Sequence, residues 1–209
     1  MAELHVQVIA SGAAVQPVAD TAADVVICAD GGLAVALTAR RPVDLVVGDF
    51  DSARPDDVAA AVAAGADLET HPAGKDESDL ELALAAAVER GATALTVHLA
   101  EGGRLDHQLA NLAVVSSRRW SGVALQAWVG VDRVWAVWDR VELPLAVGRG
   151  VAIQAMGGSA QVTTTGLKYP LDQEFLDPGQ ARGIANVVVS TPASVRVDDG
   201  VVLVISPQT

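Results

Sequence analysis

Short apolar runs alternate with stretches of helical spacing over the first 128 residues of the chain. The runs predicted as strands are Leu4–Ala10, Val25–Ala29, Leu45–Val47, Leu68–His71, Ala94–Leu99 and Ala124–Val129. The stretches predicted as helices are Gly32–Ala39, Arg54–Ala64, Ser78–Arg90 and Asp106–Arg118. This alternation predicts an α/β layer around a mostly parallel sheet.

The helix predicted over Ser78–Arg90 has the clearest sequence signals. Its apolar positions recur at three- and four-residue spacing, which gives one stripe along the helix. Ser78 followed by Glu81 forms a capping-box start, and Gly91 stands where a helix commonly ends. We therefore expect this helix to begin directly after Ser78.

The pattern changes after about residue 130, where valine and threonine runs are interrupted by glycine and proline. Such segments are typical of short strands, and no helix longer than two turns is expected. The Asp199-Gly200 pair predicts a hairpin turn between two of these strands. We predict two domains, an α/β domain over residues 1–128 and a β-sandwich domain over residues 129–209. The fold class is thus α/β plus all-β.

Composition and charge narrow the classes of function. The 209 residues are 51% hydrophobic, enough to build sizeable cores. The formal net charge of −12 disfavours nucleic acid and anionic membranes as partners. The longest uncharged stretch, Gly150–Leu167, is interrupted by polar residues, so no membrane span is expected. Cys28 is the single cysteine and no leader-like pattern opens the chain, so we expect a reducing, cytoplasmic location.

Acidic residues follow two neighbouring predicted strands. Asp30-Gly31-Gly32 comes after one strand, and Asp49 and Asp51-Ser52 come after the next. Alternation along an extended chain places Asp49 and Asp51 on the same side, at the sheet edge where α/β folds bind ligands. Two carboxylates there suit Mg²⁺. The alternative is a solvent-exposed loop that only caps the next helix.

Two further segments follow the next two predicted strands. In the first, residues 75–79, Lys75 could bind a phosphate and Asp79 could bind a metal ion. Helix capping already explains the presence of Ser78. In the second, Arg104 offers a planar fork to phosphate, and Asp106 could bind ribose or orient Arg104. An Arg–Asp pair that only structures a turn is the alternative. The chain has neither a Walker-A loop nor a Gly-x-Gly-x-x-Gly motif, so any nucleotide is held differently.

Taken together, the sequence motifs after these predicted strands resemble those of the thiamine pyrophosphokinase (thiamine diphosphokinase) family. The resemblance also includes Leu109-Ala110-Asn111, the run Thr164–Leu171 and the run Gly183–Asn186. It implies an N-terminal α/β nucleotide domain, a C-terminal β sandwich, and a homodimer with thiamine bound where the subunits meet. It further implies that ATP donates its diphosphate group to the primary hydroxyl of thiamine in the presence of Mg²⁺, giving thiamine diphosphate and AMP.

The resemblance also implies roles for individual residues. The residues expected to gather Mg²⁺ and to carry the catalysis are Asp49, Asp51 and Asp79. Those expected to line the nucleotide or phosphate site are Asp30, Gly31, Ser52, Lys75, Ser78, Arg104, Asp106 and His107. Those expected on the thiamine side are Thr165, Gly166, Leu167, Lys168, Ala185 and Asn186.

Two other functions stay open. A metal-dependent hydrolase of nucleotides or diphosphates would use the same carboxylates, with water as the acceptor. A sensor that binds thiamine or a nucleotide without turnover is the second. The sensor stays open because Ala185 and Glu77 depart from the serine and the basic residue that the family usually carries there.

Overall fold

The computed structural model describes residues 3–208, which form two compact units. The N-terminal unit comprises residues 3–114 and 122–131, and the C-terminal unit comprises residues 115–121 and 132–208. The segment 115–121, which contains a 3₁₀ turn at Arg118–Trp120, thus groups with the C-terminal unit. The sequence-based boundary at residues 128/129 stays a prediction, and the two units are described separately.

The N-terminal unit is built on a parallel sheet. Its strands are β1 (His5–Ile9), β2 (Val25–Ala29), β3 (Leu45–Gly48), β4 (Asp67–Thr70), β5 (Ala94–Leu99) and β6 (Ala124–Val129). All neighbouring strands run parallel, in the order β4-β3-β2-β1-β5-β6. The inner strands are almost wholly buried, as expected for a parallel sheet covered on both faces.

Five helices belong to the connections between these strands. They are α1 (Val15–Asp20), α2 (Gly32–Thr38), α3 (Pro55–Ala63), α4 (Asp79–Glu89) and α5 (Leu105–Val115). Helix α4 begins as predicted: Ser78 is its N-cap, and the reciprocal capping box with Glu81 is formed. Helix α1 was not predicted, because its six residues include Pro17 and are too few to show a periodic pattern. None of the helices formed by residues 3–208 has the length and apolarity needed to cross a membrane.

The strand order changes direction beside β1, which lies between β2 and β5. Strands β2, β3 and β4 follow on one side of β1, and β5 and β6 follow on the other. Loops that leave the carboxyl ends of β1 and β5 therefore diverge, which creates the crevice where open α/β sheets bind ligands. The topology places every loop after β2, β3, β4 and β5 at this one edge of the sheet.

A polar cluster is buried on one face of the central strands. The Gln7 side chain donates to the Val18 carbonyl oxygen at 2.9 Å, and its Nε2 lies 3.1 Å from His98 Nε2. Arg41 Nε donates to Gln7 Oε1 at 3.1 Å. His98 is 1% exposed, and burial lowers the pKa of its imidazole to about 4. His98 is therefore held neutral inside the sheet.

The C-terminal unit is a β sandwich. Its strands are β7 (Asp132–Val137), β8 (Arg140–Leu143), β9 (Gly150–Ala155), β10 (Ala160–Thr165), β11 (Glu174–Leu176), β12 (Asn186–Val187), β13 (Ala193–Asp199) and β14 (Val202–Ser206). Antiparallel pairing gives the sheets β12-β9-β14-β7 and β11-β10-β13-β8. Side chains from both sheets, such as Ile153 and Val195, belong to one buried core. The predicted α/β plus β-sandwich fold is confirmed.

The predicted hairpin at Asp199-Gly200 was wrong. The reversal occurs there, but β13 pairs with β10 and β8, whereas β14 pairs with β7 and β9 in the other sheet. Gly200 has φ +91°, and a Cβ on it would lie 2.6 Å from the Ser159 carbonyl oxygen. An Asp-Gly pair predicts a tight turn, but it does not determine whether the strands on either side pair with each other.

Candidate functional site

Three carboxylates converge at the carboxyl edge of the parallel sheet. Asp30 follows β2, Asp49 follows β3, and Asp79 is the first residue of α4. One carboxylate oxygen from each lies within 4.8 Å of the other two. We call these three residues the acidic trio. Oxygen ligands at this spacing suit a hard divalent cation such as Mg²⁺.

Backbone geometry brings the trio together. Asp30 adopts a left-handed conformation with φ +40°, and its N–H donates to the Val47 carbonyl oxygen at 2.8 Å. A Cβ on Gly48 would lie 3.1 Å from Asp30 Cβ and 3.3 Å from Asp79 Oδ1, tighter than most contacts of this kind. Glycine at position 48 thus lets the carboxylates approach each other across the end of β3.

Asp30 is the most buried member of the trio. It is 7% exposed, and its Oδ1 atom is buried without a hydrogen-bond partner among residues 3–208. Burial raises the pKa of the Asp30 carboxyl; hydrogen bonds from the Ser52 side chain and the Gly31 N–H offset part of this rise, and the nearby Asp79 carboxylate adds to it. A buried carboxylate oxygen without a partner is costly, and a bound cation would satisfy it. The trio therefore fits a metal ion.

The Lys75 ammonium group contacts the trio. Its Nζ lies 2.8 Å from Asp79 Oδ1, and the hydrogen bond to Asp79 raises the pKa of the lysine. The charges of Asp49 and Asp30 act in the same direction. Lys75 therefore stays protonated beside the carboxylates, where a phosphate oxygen could also reach its ammonium group.

Asp51, predicted as a metal ligand, lies outside the trio. The strand ends at Gly48 and Phe50 has φ +62°, so the chain turns and alternation along an extended strand does not apply. Asp51 is exposed; its N–H donates to Asp49 Oδ1 at 3.2 Å, and Ser52 Oγ donates to its Oδ1 at 2.9 Å. The structure thus brings Asp30 into the trio, and a metal-binding role for Asp51 stays a prediction.

Two other residues predicted on the nucleotide side have identifiable structural roles. Gly31 is buried, and a Cβ on it would lie 2.9 Å from Ser11 Oγ, so the close approach of these loops favours glycine. Ser78 accepts a hydrogen bond from the Glu81 N–H at 3.2 Å as the cap of α4. Neither observation tests a contact with the nucleotide.

The loop after β5 is exposed and internally paired. Arg104 contacts Asp106 through two hydrogen bonds of 3.1 and 2.6 Å, and the His107 N–H donates to Asp106 Oδ1 at 3.0 Å. The Arg104 guanidinium lowers the pKa of Asp106 to about 2. The structure thus groups the predicted residues Arg104, Asp106 and His107 with one another and shows no contact between them and the trio.

The predicted thiamine-side residues lie on two adjacent segments of the C-terminal unit. The Lys168 N–H donates to the Val187 carbonyl oxygen at 2.9 Å, and the Val189 N–H donates to the Gly166 carbonyl oxygen at 2.8 Å. Asn186 is 5% exposed and holds this arrangement through its carboxamide. Its Oδ1 accepts from the N–H groups of Tyr169 and Val187, and its Nδ2 donates to the Tyr169 carbonyl oxygen at 2.7 Å.

Other members of that predicted set also have structural contacts. Leu167 is 4% exposed and belongs to the sandwich core, and Gly166 has φ +72° with no room for a Cβ beside the Ser190 carbonyl oxygen. Ala185 has φ +58°, a conformation that disfavours a Cβ. Thr165 Oγ1 lies 2.9 Å from Ser194 Oγ, and the exposed Lys168 ammonium lies 5.3 Å from the Tyr169 ring centre.

Sequence reasoning missed that Asp30 is a member of the trio. A signal was present, because Asp30 follows β2 just as Asp49 follows β3, and these strands are neighbours. What could not be predicted was the left-handed turn that aims the Asp30 carboxylate toward the carboxylates of Asp49 and Asp79.

Comparisons with known proteins give a consistent result for both units. A family model described as the thiamin pyrophosphokinase catalytic domain matches residues 19–125, and one described as the thiamin pyrophosphokinase vitamin B1 binding domain matches residues 140–202. A comparison with curated protein sequences finds no match.

Solved structures resemble the chain over nearly its full length. A thiamine pyrophosphokinase from Bacillus subtilis has a TM-score of 0.81 at 21% identity, over 97% of this chain and 98% of the other. A thiamin pyrophosphokinase family protein from Enterococcus faecalis has a TM-score of 0.80 at 25% identity, over 98% and 99%. Thiamin pyrophosphokinase from Candida albicans has a TM-score of 0.71 at 15% identity, over 98% and 89%. The likenesses below 25% identity concern the fold alone.

Proposed function

This chain belongs to the thiamin pyrophosphokinase family, and from that premise we propose that it transfers the diphosphate group of ATP to the primary hydroxyl of thiamine. The products are thiamine diphosphate and AMP. The observation that carries the proposal is the acidic trio, which lies within the region matched by the catalytic-domain model. Three carboxylates at the ligand-binding edge of a parallel sheet suit a protein that handles a polyphosphate with a divalent cation.

We propose Mg²⁺ as the cation, held by Asp30, Asp49 and Asp79. Its contribution, when bound, is to neutralise charge on the phosphate oxygens and to fix their position. The unpartnered Oδ1 of Asp30 supports this assignment. Asp51 is kept as a further ligand from the family resemblance, and its N–H bond to Asp49 supports a place next to the cation.

The protein side of the reaction is chiefly positioning. The thiamine hydroxyl oxygen attacks the β-phosphorus in line and its proton passes to solvent. The bond from that phosphorus to the oxygen bridging it to the α-phosphorus breaks, and AMP leaves with that oxygen. Lys75, already beside the trio, would bind a phosphate oxygen and offset its negative charge. Arg104 would do the same from the exposed loop once a phosphate competes with Asp106 for its guanidinium. Little covalent chemistry is then left for side chains.

Thiamine is proposed to bind through the C-terminal unit, where the vitamin-binding model matches. Thr165 and Lys168 have exposed side chains suited to contact with the substrate. Gly166, Leu167, Ala185 and Asn186 would act by shaping the two segments, given the contacts described above. A homodimer with thiamine near the subunit interface is proposed from the family resemblance, and light scattering at micromolar concentration tests the dimer.

We also propose a cytoplasmic location. Cys28 is buried as a free thiol, and burial raises its pKa to about 12, so it is an inert core side chain rather than half of a disulfide. Immunofluorescence or fractionation of the tagged protein tests the location.

The decisive experiment incubates the purified protein with ATP, Mg²⁺ and thiamine and follows AMP and thiamine diphosphate by chromatography. We expect both products in equal amounts, and neither without thiamine. Release of AMP or ADP without thiamine would instead identify a hydrolase. Tight binding of both substrates without either product would identify a sensor.

A further inference from the structure

A cavity opens between α5 and the sheet of the N-terminal unit. Its volume is about 190 Å³, and it is lined by Leu99 at the end of β5, Val129 at the end of β6, and one side of α5. The cavity lies at the same carboxyl edge as the acidic trio. Strands β2 and β5 are two strand spacings apart, which places Leu99 about 10 Å from the strand that precedes Asp30.

Helix α5 is less buried toward its N-terminus than at its C-terminal end. Val115, at the C-terminal end of the helix, is 0% exposed, whereas Leu109 is 59% and Leu105 is 67% exposed. These leucines belong to the helix side that faces the cavity, together with Gln108. We call this cavity the slot; its lining is mainly apolar, which suits the faces of an aromatic ring.

Two carboxamides border this apolar slot. Gln108 and Asn111 both line the cavity, and neither side chain hydrogen bonds to another described residue. A carboxamide presents one donor and one acceptor in a plane. It matches the donor N6 and acceptor N7 of adenine, whereas guanine presents two acceptors, O6 and N7, at the corresponding positions.

We propose that this slot binds the adenine ring of the nucleotide and that Gln108 and Asn111 determine the preference for adenine. The proposal rests on the proposed function, because it assumes that the trio holds the phosphates of a nucleoside triphosphate. The vitamin-binding model matches a different part of the chain, so the slot is left for the nucleotide. The apolar walls remove the ring from water, and the carboxamides form hydrogen bonds with the polar edge of the ring.

The test is a calorimetric titration without thiamine, using three probes: Mg·ATP, Mg·GTP and Mg·tripolyphosphate. The double variant Gln108→Leu with Asn111→Leu keeps helix-forming residues at both positions, and Ala110→Leu on the other side of α5 is the control. Wild type and the control should bind ATP more tightly than GTP. The double variant should lose about tenfold or more in affinity for ATP, while its affinity for tripolyphosphate stays unchanged.

Three results would overturn the proposal. One is an unchanged affinity of the double variant for ATP, and another is an equal loss for tripolyphosphate, which would indicate damage to the phosphate site. The third is a change of the double variant's mass in light scattering, which would show that this side of α5 binds a second copy of the chain. Absence of thiamine diphosphate formation by wild type would contradict the proposed function and leave these binding results standing.

Discussion

The predicted site residues of the two units differ in how completely their side chains are paired or packed within the folded protein. In the N-terminal unit, three carboxylates crowd together, and Asp30 Oδ1 is buried without a partner among the described residues. In the C-terminal unit, Asn186 makes three hydrogen bonds to backbone groups, and Leu167 is part of the core. The first group is arranged at a cost in stability, whereas the second group stabilises the fold.

This difference predicts opposite effects of substitution. Removing a charge from the trio should damage activity while leaving the fold intact, because like charges repel and one of them is desolvated. Removing a contact from the C-terminal segments should damage the fold first, and activity only as a consequence. When a site needs a ligand to complete it, substitutions in that site commonly reduce activity and leave the fold intact.

The largest effect is expected for Asp49→Asn. Asparagine keeps the shape and the acceptor for the Asp51 N–H, but it loses a negative charge from the proposed cation site. We expect the turnover number to fall by about 100-fold or more, with a melting temperature equal to or above that of wild type. Asp56→Asn on the exposed first turn of α3 is the control and should change neither. Near-wild-type turnover of Asp49→Asn would remove this residue from the site.

The next effect concerns the C-terminal unit and compares two glycines, both with positive φ. At Gly166 a Cβ would also overlap the Ser190 carbonyl oxygen at 2.5 Å, whereas at Gly148 nothing lies within 4 Å. We expect Gly166→Ala to lower the free energy of unfolding by about 3 kcal/mol and Gly148→Ala by about 1 kcal/mol. Urea denaturation measures both. Equal losses would show that backbone strain, and not the close approach, makes position 166 sensitive.

Acid should weaken the N-terminal unit first. All four histidines, His5, His71, His98 and His107, lie in that unit. The pKa of His98 is about 4 in the folded protein and 6.5 in the unfolded chain. Between these two pH values the unfolded state therefore binds a proton that the folded state does not. The free energy of unfolding should therefore fall by about 3 kcal/mol as the pH drops from 6.5 to 4, with no His98 contribution to the slope above that window.

Hydrogen exchange of peptides at pH 7 and pH 5 measures this acid effect. Peptides of β1 and β5 should lose protection at pH 5 more than peptides of β9 and β14. His98→Gln should remove most of the difference, while His107→Gln on the exposed loop should not. The same pH response in the His98→Gln variant would show that another group is responsible.

The smallest effect is expected at Ala185, where φ is +58°. Glycine adopts this conformation without the steric cost that alanine bears, so Ala185→Gly should raise the free energy of unfolding by about 1 kcal/mol. Thermal and urea denaturation measure the gain. A loss of stability would mean that the Ala185 side chain contributes more than the backbone strain costs.

Local signals were sufficient to predict much of the fold. Helix α4 could be predicted because its cap, its apolar stripe and Gly91 all lie close together in sequence, and Gly91 indeed has φ +87°. The inner strands could be predicted because parallel strands buried on both faces are continuously apolar. The pairing of β13 and β14 with strands of different sheets could not, because it depends on contacts far away in the sequence.

The candidate site was predictable by region and less so by residue. Its location followed from the rule that loops after parallel strands share one edge of the sheet. The membership of the trio did not follow, because it depends on left-handed residues at Asp30 and Phe50, which sequence patterns do not reveal for non-glycine residues. The cavity beside α5 could not be predicted from the sequence either, because a helical stripe of leucines ordinarily predicts close packing against the sheet.

The central claim is that Asp30, Asp49 and Asp79 form one cation site. Its most direct test is Mn²⁺ binding measured by electron paramagnetic resonance, with Mn²⁺ as a probe that shares the oxygen-ligand preference of Mg²⁺. The account predicts one bound ion in wild type and in Asp56→Asn, and strongly weakened binding in Asp30→Asn. Binding of Mn²⁺ by Asp30→Asn with the affinity of wild type would contradict it.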